Sequence, residues 1–428
     1  MEARMAVPDR SGPNQSGPNR SRRQFLQRTA LLAAGAPVLA GLLDACARNA
    51  ENGPPEWPAN LTIAAPDRPV TWDITADNRP IPDGLGPEQD ATLKLYSYAG
   101  YISTEAIESF QDTYGARVEV STFNHTDEAL VNLRKGDLDV DVYTPGYDQI
   151  GRLTAGGLLR PLNHSYLPNL KNLWPVFSNP WYDQEGRFSV PYTVYTTGIA
   201  WRSDQIRADL GALRNPYESL WDPAFKNQTA VLDDWHTAMA MVLLKLGITD
   251  VNTSSAEDLI RVGEALAQLK ANTAPAVTVT MFSDLPAGVF SLSQMWSGDI
   301  INARNFLPEG VSPDILRYWF PADGKGLVEN DLMVLPRGGN NPVLAHLFIN
   351  HMLDPDVAAA NFAAIGFQPP QVSIDPDSLV QSGVIPETLK SAIVRPEYFD
   401  VGYRILELDR ANDEAWHRVW NTVKLGRP

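Results

Sequence analysis

A regular alternation of strand-like and helix-like segments, beginning at Leu93, constrains this chain more than any other feature. The predicted elements are, in order, a strand over 93–98, a helix capped by Ser103 or Thr104 and ended by Gly115, a strand over 118–123, a helix over 126–135 ended by Gly136, a strand over 140–143 and a helical turn over 147–153. Strands that alternate with helices at this spacing predict a mostly parallel sheet covered on both faces.

A second series of the same kind begins near Ile199. Its predicted elements are a strand over 229–232, a helix that follows Asp233 and Asp234 and contains 239–246, a helix through Leu269 with Ser254 and Glu257 as its capping box, a strand over 294–296 and a strand over 318–320. The chain is 44% hydrophobic, and about 340 residues follow position 90, enough to bury two ordinary cores. We therefore predict two α/β lobes.

The segment before Leu93 has a different composition. Residues 47–90 contain eight prolines and few aliphatic side chains. This composition does not support a packed core, so we predict a proline-rich tether over 46–90, with at most one short docked strand near residues 70–72.

The N-terminal residues are typical of an export signal. Arg22 and Arg23 precede an apolar run over 29–43, which is too short for a bilayer-spanning helix of roughly 20 residues. The run leads to Cys46, the only cysteine, in a context that resembles the lipid-attachment site of bacterial lipoproteins, although Asp44 departs from that pattern. We predict a twin-arginine signal over 1–45 and a lipid anchor on Cys46, which place the protein outside the cytoplasm. A buried structural cysteine behind a chance arginine pair is the alternative.

The charge of the chain restricts its partners. Without residues 1–45, 29 basic and 48 acidic residues remain, a formal charge of about −19. Such a chain repels nucleic acid and weakly attracts cations, although acidity also serves solubility alone. With one cysteine, disulfides and cysteine-based zinc sites are excluded. We predict no metal site and no cofactor.

Enzymatic signatures are weak in this sequence. There is no Gly-x-Ser-x-Gly elbow, phosphate-binding loop or dinucleotide turn, and His346 with His351 lacks the spacing of a zinc-hydrolase helix. A secreted hydrolase that uses paired acids, such as Glu329 with Asp331, stays open as an alternative, as does a lipoprotein that only binds a partner. We predict that the protein is not an enzyme.

Several segments occur in an order that resembles a known family. They are residues 95–101, 139–145, 190–192, 197–200, 220–225 and 366–369. The set is similar to the spermidine/putrescine-binding proteins of bacterial ABC importers, over roughly residues 91–426. The resemblance implies the type II periplasmic-binding-protein fold, in which two lobes joined by crossover strands close on a solute. We place lobe 1 at 91–198 plus 323–375, and lobe 2 at 199–322 plus 376–428.

The resemblance also implies ligand-binding positions. They are Tyr98, Tyr101, Thr144, Tyr147, Asp234, Trp296, Glu329, Asp331 and Phe367. The family's carboxylate in the first loop falls on Gly100, and an acid of the second lobe is replaced by Thr237, whereas Glu329 stands at a tryptophan position. The family's final contact is not placed between Tyr403 and Asp409. The changed set of charges predicts a ligand that differs from spermidine in length or terminal group.

These residue types suit an organic cation without reference to the family. An ammonium group that leaves water needs a carboxylate and hydrogen bonds, and an alkyl spacer needs an apolar wall, which aromatic rings supply. Glu329 and Asp331, two apart on a predicted strand, point to one face. Simpler roles stay open: Asp234 as a helix cap, Trp296 or Tyr98 as core residues, and Phe367 as a packing residue.

We therefore expect a monomeric substrate-binding lipoprotein that captures a polyamine or a related cation and delivers it to an ABC permease with its ATPase. The main rival is another solute of the same superfamily, such as an amino acid, another organic cation or a chelated metal.

Overall fold

The computed structural model describes residues 61–136 and 138–425, with side chains through Thr422. The predicted signal with Arg22 and Arg23, the predicted lipid site at Cys46 and the first part of the predicted tether lie outside the described residues.

Nine strands of the described chain form one sheet. They are β1 (Thr92–Tyr98), β2 (Arg117–Phe123), β3 (Val142–Tyr143), β4 (Ser189–Arg202), β5 (Thr229–Leu232), β6 (Ala276–Thr278), β7 (Leu292–Trp296), β8 (Leu316–Trp319) and β9 (Leu327–Val334). Their order is β2-β1-β3-β9-β4-β7-β5-β6, and β8 pairs with β4. The sheet contains two parallel blocks, β1 with β2 and β3, and β5 with β6 and β7.

The strands β4 and β9 join these blocks. They run antiparallel to each other over most of their length, while β9 also pairs with β3 and β4 also pairs with β7. β4 is 14 residues long and buried along nearly all of it, as is β9. This is the α/β arrangement with crossover strands that the sequence predicted, so the fold class is confirmed. The lobe boundaries stay a prediction.

Twelve α-helices cover the sheet in the described residues. They are α1 (Thr104–Tyr114), α2 (Thr126–Lys135), α3 (Ile150–Ala155), α4 (Trp235–Lys245), α5 (Ala256–Thr273), α6 (Met281–Ala287), α7 (Ser297–Asn302), α8 (Pro342–Met352), α9 (Pro355–Ile365), α10 (Pro376–Gln381), α11 (Tyr398–Val401) and α12 (Arg410–Leu425). Among the described residues, no helix has the length and apolar character that spanning a bilayer would require.

Local capping explains where several helices begin and end. Ser103 caps α1 through the backbone N–H of Ala106, and Gly115 ends it with a positive φ of 66° that suits glycine. The predicted capping box of α5 is wrong by one residue, because Ser255 rather than Ser254 accepts the N–H of Asp258. Adjacent serines are equivalent cap residues in a sequence, and the helix register decides between them.

Residues 61–90 are packed against the rest of the protein, which corrects the predicted tether for this part of the chain. We call this segment the strap. Trp72 is buried and its indole N–H donates to the carbonyl of Tyr182, while Glu88 accepts the backbone N–H groups of Val343 and Leu344 at the start of α8. The strap has no core of its own and packs its few apolar side chains into the core beneath it. No strand forms at residues 70–72.

Candidate ligand-binding cavity

A cavity of about 550 Å³ lies at the carboxyl ends of strands from both parallel blocks. Tyr98 is the last residue of β1, Trp296 is the last residue of β7, and Asp234 follows β5 by two residues. Ligands bind at such strand ends in open α/β sheets. Seven of the nine predicted ligand positions line the cavity: Tyr98, Tyr101, Asp234, Trp296, Glu329, Asp331 and Phe367. Their contact with a ligand stays a prediction.

Asp331 accepts a hydrogen bond on each of its two carboxylate oxygens. Tyr101 donates its hydroxyl to Oδ2 at 2.5 Å and Tyr195 donates to Oδ1 at 3.1 Å. Burial raises the pKa of Asp331 to about 7 against the lowering effect of both tyrosines, and the charges of Asp148 and Asp234 add to the rise. The partners hold the carboxylate in place, and each oxygen keeps acceptor capacity for a guest.

Glu329 lies two residues before Asp331 on β9, so both side chains emerge on the same face of the sheet. Thr197 donates its hydroxyl to Glu329 Oε2 at 3.2 Å. Burial raises the pKa of Glu329 well above its ordinary value, and the charges of Asp234, Asp148 and Asp331 raise it further. These carboxylates repel one another, and a cation placed among them would lower the free energy of all four.

Asp234 caps a helix and also lines the cavity. Its side chain accepts the backbone N–H of Thr237 at 3.1 Å and so caps α4. It also lines the cavity, where burial raises its pKa despite the hydrogen bonds from Thr237. The cap fixes the orientation of the carboxylate without removing it from the cavity.

The acids of the cavity wall that the sequence analysis did not assign include Asp148 and Asp299. Asp148 lies on the turn Tyr147–Gln149, and its pKa is raised to about 6 by burial and then by the charge of Asp234. Asp299 lies in α7, three residues after Trp296, and burial raises its pKa to about 8. Asp299 Oδ2 is buried without a hydrogen-bond partner among the described residues. Because Asp299 lies about one helical turn after Trp296, which was predicted as a ligand position, the sequence could have indicated that Asp299 also faces the cavity.

Aromatic side chains form the apolar part of the wall. The ring of Tyr98 meets that of Tyr101 edge-on at 5.6 Å between centroids, and Phe367 meets Tyr101 at 4.8 Å and Tyr195 at 5.8 Å. Tyr195 also contacts Trp296, whose side chain stays partly exposed to the cavity. These rings present faces and edges suited to methylene groups and to cations.

The structure does not bring Thr144 or Tyr147 to the cavity, which corrects two predicted contacts. Thr144 is buried below the cavity and donates its hydroxyl to Ser97 at 2.8 Å. Tyr147 points into the core, where its ring packs on Trp181 and Tyr182 and carries the guanidinium of Arg404 at 4.9 Å. In the turn that follows β3, the next residue, Asp148, faces the cavity instead.

Basic groups are scarce on the cavity wall. Arg152 lines it, but this guanidinium is ion-paired with Glu407 and lies 3.2 Å from Asp413. Burial lowers the pKa of the neighbouring His236 to about 3, so its imidazole is neutral. The described residues contain no cluster of three or more His, Cys, Asp or Glu side chains arranged to hold a metal ion.

Two parallel blocks joined by crossover strands, with a ligand-sized cavity at the strand ends, define the class of two-lobed solute-binding proteins. The sequence profile of the family described as "Bacterial extracellular solute-binding protein" matches residues 105–385. This match covers well over half of the chain, and the chain belongs to that family.

Two individual relatives show the level of sequence similarity within the family. A putrescine-binding periplasmic protein of Escherichia coli is 27% identical over 357 residues, which cover 78% of this chain and 92% of that protein. Spermidine/putrescine-binding periplasmic protein 1 of Haemophilus influenzae is 29% identical over 283 residues, covering 64% of this chain and 74% of the relative.

Solved structures agree with the fold. A protein described as a putative spermidine/putrescine ABC transporter from Listeria monocytogenes superposes with a TM-score of 0.67 at 24% identity, over 78% of this chain and 99% of that one. A lipoprotein of Treponema pallidum gives a TM-score of 0.65 at 21% identity, over 78% of this chain and 99% of the lipoprotein.

Proposed function

We propose that this protein captures a small organic cation with at least two ammonium groups, a polyamine such as putrescine or spermidine or a close relative, and delivers it to an ABC permease. One observation carries the proposal. Four carboxylates, those of Asp148, Asp234, Glu329 and Asp331, line a single cavity with aromatic walls, and the charges of Asp148 and Asp234 raise the pKa of both Glu329 and Asp331. The names of the relatives, which are polyamine-binding proteins, support the same ligand class.

The geometry favours an amine over the rival solutes. An amino acid brings a carboxylate that needs a free cationic partner, and Arg152 is already paired with acidic side chains. A polyamine has only positive groups and methylene spacers, which match the acids and rings of the wall.

Binding and lobe closure are coupled in this proposal. Tyr98, Tyr101 and Asp331 stand on the first predicted lobe, while Asp234 and Trp296 stand on the second. A guest that contacts both sets stabilises the closed arrangement by its differential contacts, and either set alone holds it weakly. The closed form is then presented to the permease.

Isothermal titration in an amine-free buffer tests the ligand class. We expect micromolar or tighter binding, about −8 kcal/mol, for at least one diamine or triamine, and none for an amino acid of similar length. Trp296→Ala should weaken that binding at least tenfold without unfolding the protein. An unchanged titration curve for the variant would remove Trp296 from the site, and no binding by any amine would refute the ligand class.

The N-terminal predictions also belong to this proposal. Export through the twin-arginine route depends on Arg22 and Arg23, and anchoring depends on the thiol of Cys46. Replacing both arginines by lysine should stop export, and Cys46→Ser should release the exported protein from membranes without changing ligand affinity. Mass spectrometry of the mature N-terminus measures the lipid directly, and an unmodified cysteine would refute the anchor.

A further inference from the structure

Asp148 contributes a carboxylate to the cavity from a turn in which only Tyr147 was predicted as a ligand contact. The turn Tyr147–Gln149 follows β3 directly and is attached to β9 by a bridge between Gly146 and Asp331 and by the hydrogen bond from the Leu332 N–H to the Pro145 carbonyl. The turn is therefore held against the strand that carries Glu329 and Asp331.

Gly146 explains how Asp148 comes to face Asp331. Its φ of −67° and ψ of 153° are open to any residue, so the backbone does not require glycine. A methyl group at this position would lie 2.4 Å from Asp148 Oδ1 and 3.6 Å from Asp331 Oδ1. The absence of a side chain on Gly146 thus leaves room for the Asp148 carboxylate. Because both oxygens are placed relative to the same point, the distance from Asp148 Oδ1 to Asp331 Oδ1 is at most about 6 Å.

The upper limit of about 6 Å is close to the span of a single bridging cation. A charge-assisted N–H···O bond is about 2.8 Å long, so an ammonium nitrogen between two carboxylate oxygens spans up to about 5.6 Å. Asp331 Oδ1 accepts one hydrogen bond, from Tyr195, and retains a lone pair. Arg152, four residues after Asp148, lowers the pKa of Asp148 but is itself ion-paired with Glu407.

We propose that Asp148 and Asp331 form, across Gly146, a subsite for one ammonium group of the guest, and that Asp148 is a specificity-determining residue of the cavity. This subsite rests on the proposed function, because it needs a cationic guest. It selects primary or secondary ammonium groups, since bridging two carboxylates requires at least two N–H donors. A quaternary ammonium group carries the same charge but has no N–H, and is excluded.

Two variants test the subsite by titration with putrescine, spermidine and the hexamethylated, bis-quaternary form of putrescine. Asp148→Asn removes the charge while keeping the shape, and Gly146→Ala displaces the carboxylate without backbone strain. Asp112→Asn, an exposed position of α1, is the matched control that removes the same charge elsewhere. Thermal unfolding of each empty variant checks that it is folded.

We expect the wild type to prefer an unmethylated amine over the bis-quaternary form at least tenfold. Asp148→Asn and Gly146→Ala should each weaken amine binding at least tenfold and reduce this preference, while Asp112→Asn changes neither. Amine affinities within twofold of wild type in a folded Asp148→Asn protein would overturn the subsite and leave the proposed function standing. Absence of binding by all three compounds to the wild type would overturn both.

Discussion

Single acidic residues of this cavity combine a structural role with a place on the cavity wall, where we propose that they bind the guest. Asp234 caps α4 and lines the cavity, and Asp331 anchors two tyrosine hydroxyls while facing the same space. A neutral side chain that keeps the hydrogen bonds therefore separates the two roles at each position.

Substitutions of Asp234 separate capping from binding. Asparagine is an equally good helix cap, so Asp234→Asn should leave stability unchanged while weakening amine binding at least tenfold, roughly 1.4 kcal/mol. Asp234→Ala should show the same binding loss and in addition cost about 1 kcal/mol of unfolding free energy through the lost cap. Isothermal titration calorimetry measures the amine affinity, and urea unfolding measures the free energy of unfolding. Unchanged affinity in Asp234→Asn would leave Asp234 as a cap alone.

The raised pKa values predict how the stability of the empty protein depends on pH. Burial raises the pKa of Asp331 to about 7 and that of Asp148 to about 6, so the folded protein holds protons that the unfolded chain releases. Their stabilising contribution is complete below the unfolded pKa near 4 and is lost as pH rises through 6 and 7. The melting temperature should fall between pH 5 and 8, and Asp331→Asn should flatten the slope. An equally steep slope in that variant would contradict this assignment.

At the residue scale, sequence reasoning identified residues of the cavity wall where side-chain chemistry and strand position agree, and their contact with a ligand stays a prediction. Tyr98, Asp234 and Trp296 stand at or just after strand ends, and all three line the cavity. It failed at Thr144 and Tyr147, because the orientation of a tight turn depends on which residue the neighbouring strand holds in place. The bridge from Gly146 to Asp331 decides that orientation, and no pattern local to the turn records it.

At the scale of elements, local signals fixed most helices and strands. α2 has its predicted bounds, and Gly136 ends it with a φ of 70°. β5 also has its predicted bounds. The sequence did not predict that the strap packs on the rest of the protein, because its contacts are with residues distant in sequence. Trp72 donates a hydrogen bond to Tyr182, and Glu88 accepts one from the start of α8. Composition shows that such a segment has no core of its own, but it does not show that the segment packs on another.

Trp72 should be the main anchor of the strap. It is 8% exposed and packs in the core near α2 and α3, so Trp72→Ala should lower the free energy of unfolding by about 3 kcal/mol. Ile74→Ala, at an exposed position of the same segment, is the control and should change little. Chemical denaturation measures both. Because the strap does not line the cavity, amine affinity should be the same in both variants, and a large affinity loss in Trp72→Ala would contradict this separation.

At the scale of the whole molecule, the crossover strands and one ion-pair network connect regions far apart in sequence. Arg152 in α3 pairs with Glu407, with Asp413 of α12 at 3.2 Å and with Asp127 of α2 at 3.8 Å. With the proposed boundaries, this network joins the two lobes at the cavity wall. The order of strands and helices predicted the two-block sheet. The ion-pair network depends on tertiary contacts, which the spacing of residues along the sequence does not reveal.

Removing Arg152 should test how much this network stabilises the molecule. Arg152→Gln leaves the carboxylates of Glu407 and Asp413, which are both nearly buried, without the cation that they share. We therefore expect the variant to lose about 3 kcal/mol of unfolding free energy. The control Arg410→Gln removes an exposed pair with Glu414 and should change stability very little. Urea unfolding of both variants gives the comparison. Equal stabilities would show that the network contributes no more than a surface pair.

The path of β4 and β9 has a consequence for engineering. The chain completes β1 to β3, crosses to the other block through β4, and returns through β9 only after β5 to β8 are finished. No single cut of the gene therefore yields two self-sufficient modules, since a break after β4 would leave the first fragment without its returning strand. A reporter built by fragment complementation should reassemble only when both fragments are produced together, whereas a fluorescent domain inserted at an exposed turn would leave the sheet whole.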